Sequence, residues 1–441
     1  MDVFIKASQF LLSLSLLIAL HELGHFVPAK LFKIKVEKFY LFFDYKFSLF
    51  KKKIGDTVYG IGWIPLGGYV KISGMIDESM DTEQMQQPPK PWEFRSKPAW
   101  QRLIVMLGGV TVNFILGIII YQAILFTWGE DVVNVGDVKN GFSVSEDFQA
   151  LGFENGDQIL KINGETPEDV LAVNKELFLR SVTNIEVRHK DGSVEAISIP
   201  EDIGSTMWKK NDLEPFTPLF TGVLDSITPG SPAQIAGLEK GDQIRSINGV
   251  ATPYWNDFTK TVKSSDLESI DLIIFRDGQE IAKQVGISED RTIGVNADIN
   301  VEDGIVITHK DYSIGEAFVS GGNLAYLTLQ DYISQFKYVF TKKGAQSVGG
   351  FIAIGSIFPS TWSWESFWSI TAFLSIMLGF MNLLPIPALD GGHVLFTLYE
   401  MVSGRKPSDK FLEYAQMSGF FILIVLLLLA NGNDVVKLFN S

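Results

Sequence analysis

Four stretches of this chain are apolar for long enough to cross a lipid bilayer, which takes roughly 20 helical residues. They cover 3–27, with Lys6 near the start, then 103–128, 367–389 and 414–430. The third follows Trp362 and Trp364 and contains Trp368, an aromatic cluster suited to a membrane interface. Elsewhere the pattern changes. Between the second and third stretches, the alternating pairs Ile159/Ile162 and Ile244/Ile247 each follow a Gly-Asp and precede an Asn-Gly, which predicts strands bounded by tight turns. Residues 59–73 read YGIGWIPLGGYVKIS, with Gly67-Gly68 flanked by Trp63, Ile64, Tyr69 and Val70; this predicts a β-hairpin turning at the two glycines. At 311–345, Leu329, Tyr332, Phe336, Val339 and Phe340 recur beside Asp331 and Lys337, which predicts amphipathic helices lying at the outer face of a membrane.

The alternating region contains a repeat. GFENGDQILKING at 152–164 returns as GLEKGDQIRSING at 237–249, 85 residues later, about the size of one small domain. With SITPGSPAQIAGL leading into the second copy, 231–249 resembles the PDZ domains of bacterial envelope proteases, so two tandem PDZ-like domains are expected. The predicted fold class is a multi-span α-helical membrane protein of about four transmembrane helices. A membrane-associated β-hairpin accompanies them, and two tandem β-rich PDZ-like domains are inserted between spans 2 and 3. The predicted order begins with helix 1 at 1–30, a loop at 31–100 holding the hairpin, and helix 2 at 101–128. PDZ-like domains follow at 129–215 and 216–310, then interfacial helices at 311–345 and a membrane region with helix 3 at 346–393. A cytosolic loop at 394–413, helix 4 at 414–432 and an outer tail at 433–441 complete it.

Composition narrows the class. Of 441 residues, 46% are apolar, 20% are charged and 33 are Phe, a poor fit to a water-soluble fold. There is no Cys, which excludes disulfides, thiolate metal ligands and a thiol nucleophile. The net charge of −14 is unevenly placed. Lys30, Lys33, Lys35, Lys38, Lys51, Lys52, Lys53, Arg95, Lys97 and Arg102 crowd the segment after the first span, and Arg405, Lys406 and Lys410 precede the last. The segment 129–310 instead holds roughly twice as many acidic as basic residues. The Lys/Arg bias puts the basic loops in the cytosol and the acidic segment, with the N-terminus, on the other side. A signal peptide is disfavoured for the first stretch, because polar HELGH stands where a small-residue cleavage site should lie. No nucleic-acid partner is expected.

The candidate chemistry begins at His21-Glu22-Leu23-Gly24-His25, an H-E-x-x-H pattern in a chain with five His. On a helix, residues four apart share a face, so both imidazoles can reach one Zn²⁺. Glu22, about 100° around, can reach the attacking water as general base. Ionisable groups at the end of an apolar span are costly, and are functional by default. A catalytic zinc wants a third protein ligand. The third span ends in NLLPIPALDGGH at 382–393, where Asp390 and His393 both qualify by chemistry. The first and third spans run in the same direction, so both motifs fall toward the cytosolic ends at similar depth. Pro385 and Pro387 break the helix there, which a bilayer tolerates only where the chain lines a cavity. Asp157, Asp242, His189 and His309 read as turn or surface residues.

HELGH, NLLPIPALDGG and the intervening PDZ-like pair together resemble the site-2 protease family of intramembrane zinc metalloproteases, across nearly the whole chain. The resemblance implies Zn²⁺ held by His21, His25 and Asp390, which selects Asp390 over His393, with Glu22 catalytic. It also implies that Asn382 contacts substrate, and that the hairpin, at Gly67, Gly68 and Tyr69, receives substrate as an extended strand. The implied substrates are single-span membrane proteins already shortened by an upstream site-1 protease: an anti-sigma factor in an envelope stress response, and remnant signal peptides. The PDZ pair would act as a size filter. The implied location is a bacterial inner membrane, with PDZ domains periplasmic and the active site in the bilayer near the cytosolic side. Two departures stand out. The family's G-P-x-x-N is read at 108–113 with Gly109 in place of Pro, and its S-x-G-P-I-like element at 347–352 has Phe351 in place of Pro. Two other classes of function are a membrane-anchored zinc protease that cuts extramembrane chains and a non-catalytic PDZ scaffold.

Overall fold

The structure, a computed structural model, describes residues 2–75, 87–298 and 304–440; positions 76–86 of the expected 31–100 loop and 299–303 of the second β-rich domain lie outside the described residues. The chain divides into two compact units, one from 1–129 with 311–441 and the other Glu130–Lys310.

Among the described residues, the first unit has four helices long and apolar enough to cross a membrane: Asp2–Leu31, Ala99–Trp128, Trp364–Leu383 and Lys410–Phe439. The second span is central, packed by the first and third. Along the first span Gln9, Ser13, Leu17, His21 and His25 are buried while Leu12, Leu23 and Val27 are exposed, so the i, i+4 polar stripe faces the bundle. Gly24 meets Gly108 of the second span backbone to backbone, a close crossing of the kind small residues permit in membranes. Thr371 donates to Ser13 at 2.9 Å and Ser375 to the Asn113 carbonyl at 2.7 Å, tying the third span to the other two at about 0.6 kcal/mol per bond.

Four strands follow the first span: β1 (Val36–Phe43), β2 (Phe50–Ile54), β3 (Thr57–Ile61) and β4 (Ile64–Ile72). Their order is β2-β3-β1-β4, with β1 parallel to β3 and antiparallel to β4. The expected hairpin at 59–73 is therefore corrected: β3 and β4 are not partners, because β1 lies between them. Gly67 and Gly68 lie inside β4, not in a turn. A Cβ on Gly67 would fall 2.7 Å from the Phe43 ring, and one on Gly68 would fall 2.6 Å from Ile18 and 2.8 Å from the Tyr40 carbonyl. Close approach, rather than chain reversal, requires glycine there. β4 is left as an edge strand packed on the first span.

Three further expectations change. The segment at 311–345 forms one 26-residue helix, Ile314–Val339, before a short Lys342–Ser347 turn of helix. It runs along the second and third spans, with Gln122 donating to the Phe318 carbonyl and Tyr332 edge-on to Phe373 and Phe380. Half of the expected loop at 394–413 belongs to the helix Asp390–Ser403, and the expected tail at 433–441 continues the last helix as far as Asn440. That extension is anchored: the Asp434 carboxylate accepts from the Ile352 and Ala353 N–H groups, and Asn431 Oδ1 accepts from Phe351 N–H at 3.3 Å. Proline in place of Phe351 could not make that last bond.

The second unit carries two β-rich cores, one around Phe142, Phe148 and Phe216 and one around Leu224, Ile244 and Leu272, with Trp255 packed against both. The sequence repeat is also a structural one. Strands Gln158–Ile162 and Gln243–Ile247 are both bulged against antiparallel partners, and Asn163 and Asn248 both turn left-handed before glycine. Asp157 and Asp242 are fully buried rather than surface residues. Each caps its own turn, accepting from Glu154 N–H and Glu239 N–H at 2.8 Å. The cationic partner differs between copies: His189 for Asp157 and Arg276 for Asp242. His309 is exposed and paired with Asp131. The two ends of the unit pair directly, Glu130 with Lys310, across an antiparallel bridge of strands.

Candidate metal centre and active site

One helical turn of the first span aims two imidazoles the same way, with His21 Nε2 and His25 Nε2 3.2 Å apart. The third corner comes from a different element. The third span stops at Leu383, ahead of Pro385 and Pro387, and a tight turn starts the helix Asp390–Ser403 with Asp390 as its first residue. Asp390 Oδ2 lies 3.2 Å from His21 Nε2 and 3.3 Å from His25 Nε2. A tetrahedral zinc site with bonds of about 2.0 Å has ligand–ligand edges of about 3.3 Å, so these three atoms match one face of such a site. Asp390 Oδ2 is buried and makes no hydrogen bond, which leaves its lone pairs directed at the same point.

The other ring nitrogens fix the tautomers. His25 Nδ1 stands 2.8 Å from the Val105 carbonyl and must donate to it, so Nε2 keeps its lone pair. His21 Nδ1 faces the Asn113 amide at 3.1 Å, while Asn113 Oδ1 is buried without a partner. Turning that amide by 180° puts its oxygen toward His21 as the acceptor of the Nδ1 proton and frees His21 Nε2 as a ligand. Gly109 explains how the second span comes so close. A Cβ there would strike His25 Nε2 and lie 2.6 Å from His21 Cε1. Counting back from Asn113 also corrects the register of the G-P-x-x-N comparison: the five-residue pattern begins at Gly109, so Val110 takes the proline position.

These groups open on a cavity of about 960 Å³. Glu22 lines it, beside Val70 of β4. Gly67, Gly68 and Tyr69 form the β4 side, while Asn382 faces in from the third span with its amide 3.4 Å from His21 Nε2. His393 lines the same cavity but is not one of the three converging groups. The structure brings together His21, His25, Glu22, Asp390 and Asn382, all named from the sequence and its family resemblance. Sequence reasoning missed Asn113 as a partner of His21, and it missed Gln416, a lone amide in an apolar span, which is the signal that could have found it.

A second cluster with metal-like spacing, Glu154, Asp157 and His189, lies in the other unit. Its counterpart in the repeat is the Asp242–Arg276 ion pair, and arginine does not bind metals, so His189–Asp157 is read as the same structural pair with a titratable cation. The Asp157 carboxylate, accepting from the ring at 2.8 Å, holds the His189 pKa above its ordinary value.

A family model described as Peptidase family M50 matches residues 9–426. Among curated proteins, the chain is similar to the regulator of sigma E protease of Haemophilus influenzae, 29% identical over 453 residues and 98% of each chain. It is 27% identical over 458 residues to the regulator of sigma-E protease RseP of Escherichia coli, again over 98% of each. A Vibrio cholerae protein that bears the name "Putative zinc metalloprotease" is 28% identical over 477 residues, covering 99% of this chain and all of that one.

Proposed function

Since the chain belongs to peptidase family M50, the site-2 protease family, and is an integral membrane protein, we propose that it hydrolyses peptide bonds inside the transmembrane segments of single-span proteins. The observation that carries this reading is the meeting of His21 Nε2, His25 Nε2 and Asp390 Oδ2 beside Glu22, on the wall of a cavity between the apolar spans and strands β1 and β4. His21, His25 and Asp390 would hold Zn²⁺, and their donor set and spacing fit it. Zinc supplies a Lewis acid that polarises the scissile carbonyl and lowers the pKa of water. Glu22 takes the proton from the attacking water and returns it to the leaving amine. Asn113 and the Val105 carbonyl hold the two imidazoles in the ligating tautomer.

A transmembrane helix hides its peptide bonds in its own hydrogen bonds, so it must be drawn out before it can be cut. β4 offers the alternative partner. Its edge faces the cavity, and main-chain pairing there would extend the substrate beside Glu22 and the three converging side chains. Asn382 supplies an amide to the bound peptide.

The finer reading follows the family. The membrane is a bacterial inner membrane, the β-rich pair is periplasmic and PDZ-like, and the site lies toward the cytosolic side. The substrates are anti-sigma factor-like proteins and remnant signal peptides, shortened first by another protease. The β-rich pair excludes substrates that still carry a bulky outer domain. A membrane-anchored protease for extramembrane chains is less well supported, because His21, Glu22 and His25 stand on the first apolar span and Asn382 on the third. The test is a panel of purified-membrane cleavage assays. A truncated single-span substrate should be cut within its span and a soluble version of the same loop should not; equal cutting of both would favour the extramembrane reading.

A further inference from the structure

The turn that presents Asp390 runs against backbone preference. Ala388 has φ of +87°, a left-handed conformation that a Cβ disfavours and that persists only where the surroundings over-determine it. Two contacts from the last span do so. Gln416 is buried, and its Oε1 accepts from the Ala388 N–H at 3.1 Å. One turn along, Gly419 packs against the Pro387 carbonyl so closely that any Cβ would overlap it. Residues 416 and 419 share one helix face, so the last span grips the turn at adjacent points, two residues before the carboxylate. Gly392 closes the other side, where a Cβ would lie 2.7 Å from Pro387 Cα. An amide in an apolar span is costly unless it has work to do, and here it satisfies a backbone donor that the proline-broken helix has freed.

We propose that Gln416 is a positioning residue for the metal centre: by holding Ala388 in its left-handed turn it sets Asp390 Oδ2 against His21 and His25, so the last span completes a site whose ligands it does not supply. This rests on the reading of Asp390 as the third zinc ligand. Gln416 also borders the cavity, so a role in contacting substrate is the competing account.

The experiment is chelator competition for Zn²⁺ on the full chain purified in detergent, with KM and kcat measured on a single-span substrate. Gln416→Met keeps length and bulk and removes the acceptor. It should weaken zinc binding by about tenfold or more, the usual effect of losing an outer-shell partner, and lower kcat with little change in KM at saturating zinc. Ala388→Gly removes the penalty on the left-handed turn, so adding it to Gln416→Met should restore zinc binding to within about threefold of Ala388→Gly alone. Unchanged zinc affinity in Gln416→Met with raised KM would overturn the proposal in favour of substrate contact. A loss that Ala388→Gly does not relieve would overturn it in favour of general packing. Asp390→Ala in the same assay separates the layers. If it binds zinc as the parent does, the ligand reading fails and the proposal with it; if it loses zinc while Gln416→Met does not, only the positioning role falls.

Discussion

His21, Glu22 and His25 were legible because one helical turn contains all three, and helix geometry alone decides that they converge. Asp390 is different: the residues alone leave His393 as a rival, family resemblance favours Asp390, and the Oδ2 distances place it with the two imidazoles. Asn113 and Gly109 were visible as motif letters, but their work is done on another span. At this scale the structure predicts that Gly109→Ala abolishes zinc binding, since its Cβ would enter the space of both imidazoles. Asn113→Leu should weaken zinc affinity by about 10- to 100-fold, read by chelator competition, with Asn113→Asp closer to the parent because it keeps an acceptor for His21 Nδ1. The repeat offers a pH test. His189 faces Asp157, with Glu154, Asp191 and Glu195 nearby, and its folded pKa is raised. Its stabilising contribution is therefore complete below the ordinary histidine value of about 6.5 and is lost as pH climbs through the raised one. Backbone hydrogen exchange around 152–189, corrected for intrinsic rates, should lose protection across that window. The Asp242 copy should not, since Arg276 stays charged, and His189→Arg should remove the dependence.

At the scale of elements, the helices followed their hydrophobic runs and the sheet did not follow its local signals. β1 reads VEKFYLFF, with neither alternation nor a flanking turn signal to announce a central strand. Gly-Gly reads locally as a reversal, although its reason here is contact with Phe43, Ile18 and Tyr40. The helix Asp390–Ser403 was hidden because its glycine-rich start resembles a loop, and the last span extends past its apolar run because Asn431 and Asp434 have partners at 351–353. The exposed edge of β4 carries the substrate reading, and it predicts an alternating pattern. The chain contains no Cys, so single cysteines placed along 67–71 in Glu22→Gln cross-link without background. Cross-links to substrate cysteines should alternate with a period of two residues; a helical period would show that substrate docks undrawn.

At the scale of the whole molecule, the four spans and the duplicated β-rich insertion were readable from hydrophobic run length and from the repeat of 85 residues. The pairing of Glu130 with Lys310 was not, because register between residues so far apart leaves no local trace. That pairing makes the insertion removable. Replacing Glu130–Lys310 by a short Gly/Ser linker should leave cleavage of a truncated substrate within a few-fold of the parent, and should permit cleavage of the untruncated one. If the untruncated substrate still resists, the insertion is not the size filter.

The central claim is that zinc at His21, His25 and Asp390, with Glu22 as base, cuts peptide bonds within the membrane. Its most direct test is Glu22→Gln, with zinc content and cleavage of a truncated single-span substrate measured together. The account predicts about one zinc per chain in both proteins, and a rate at least 10²-fold lower in the variant, about the least that losing a general base should cost. Equal rates, or no zinc in the parent, would contradict it.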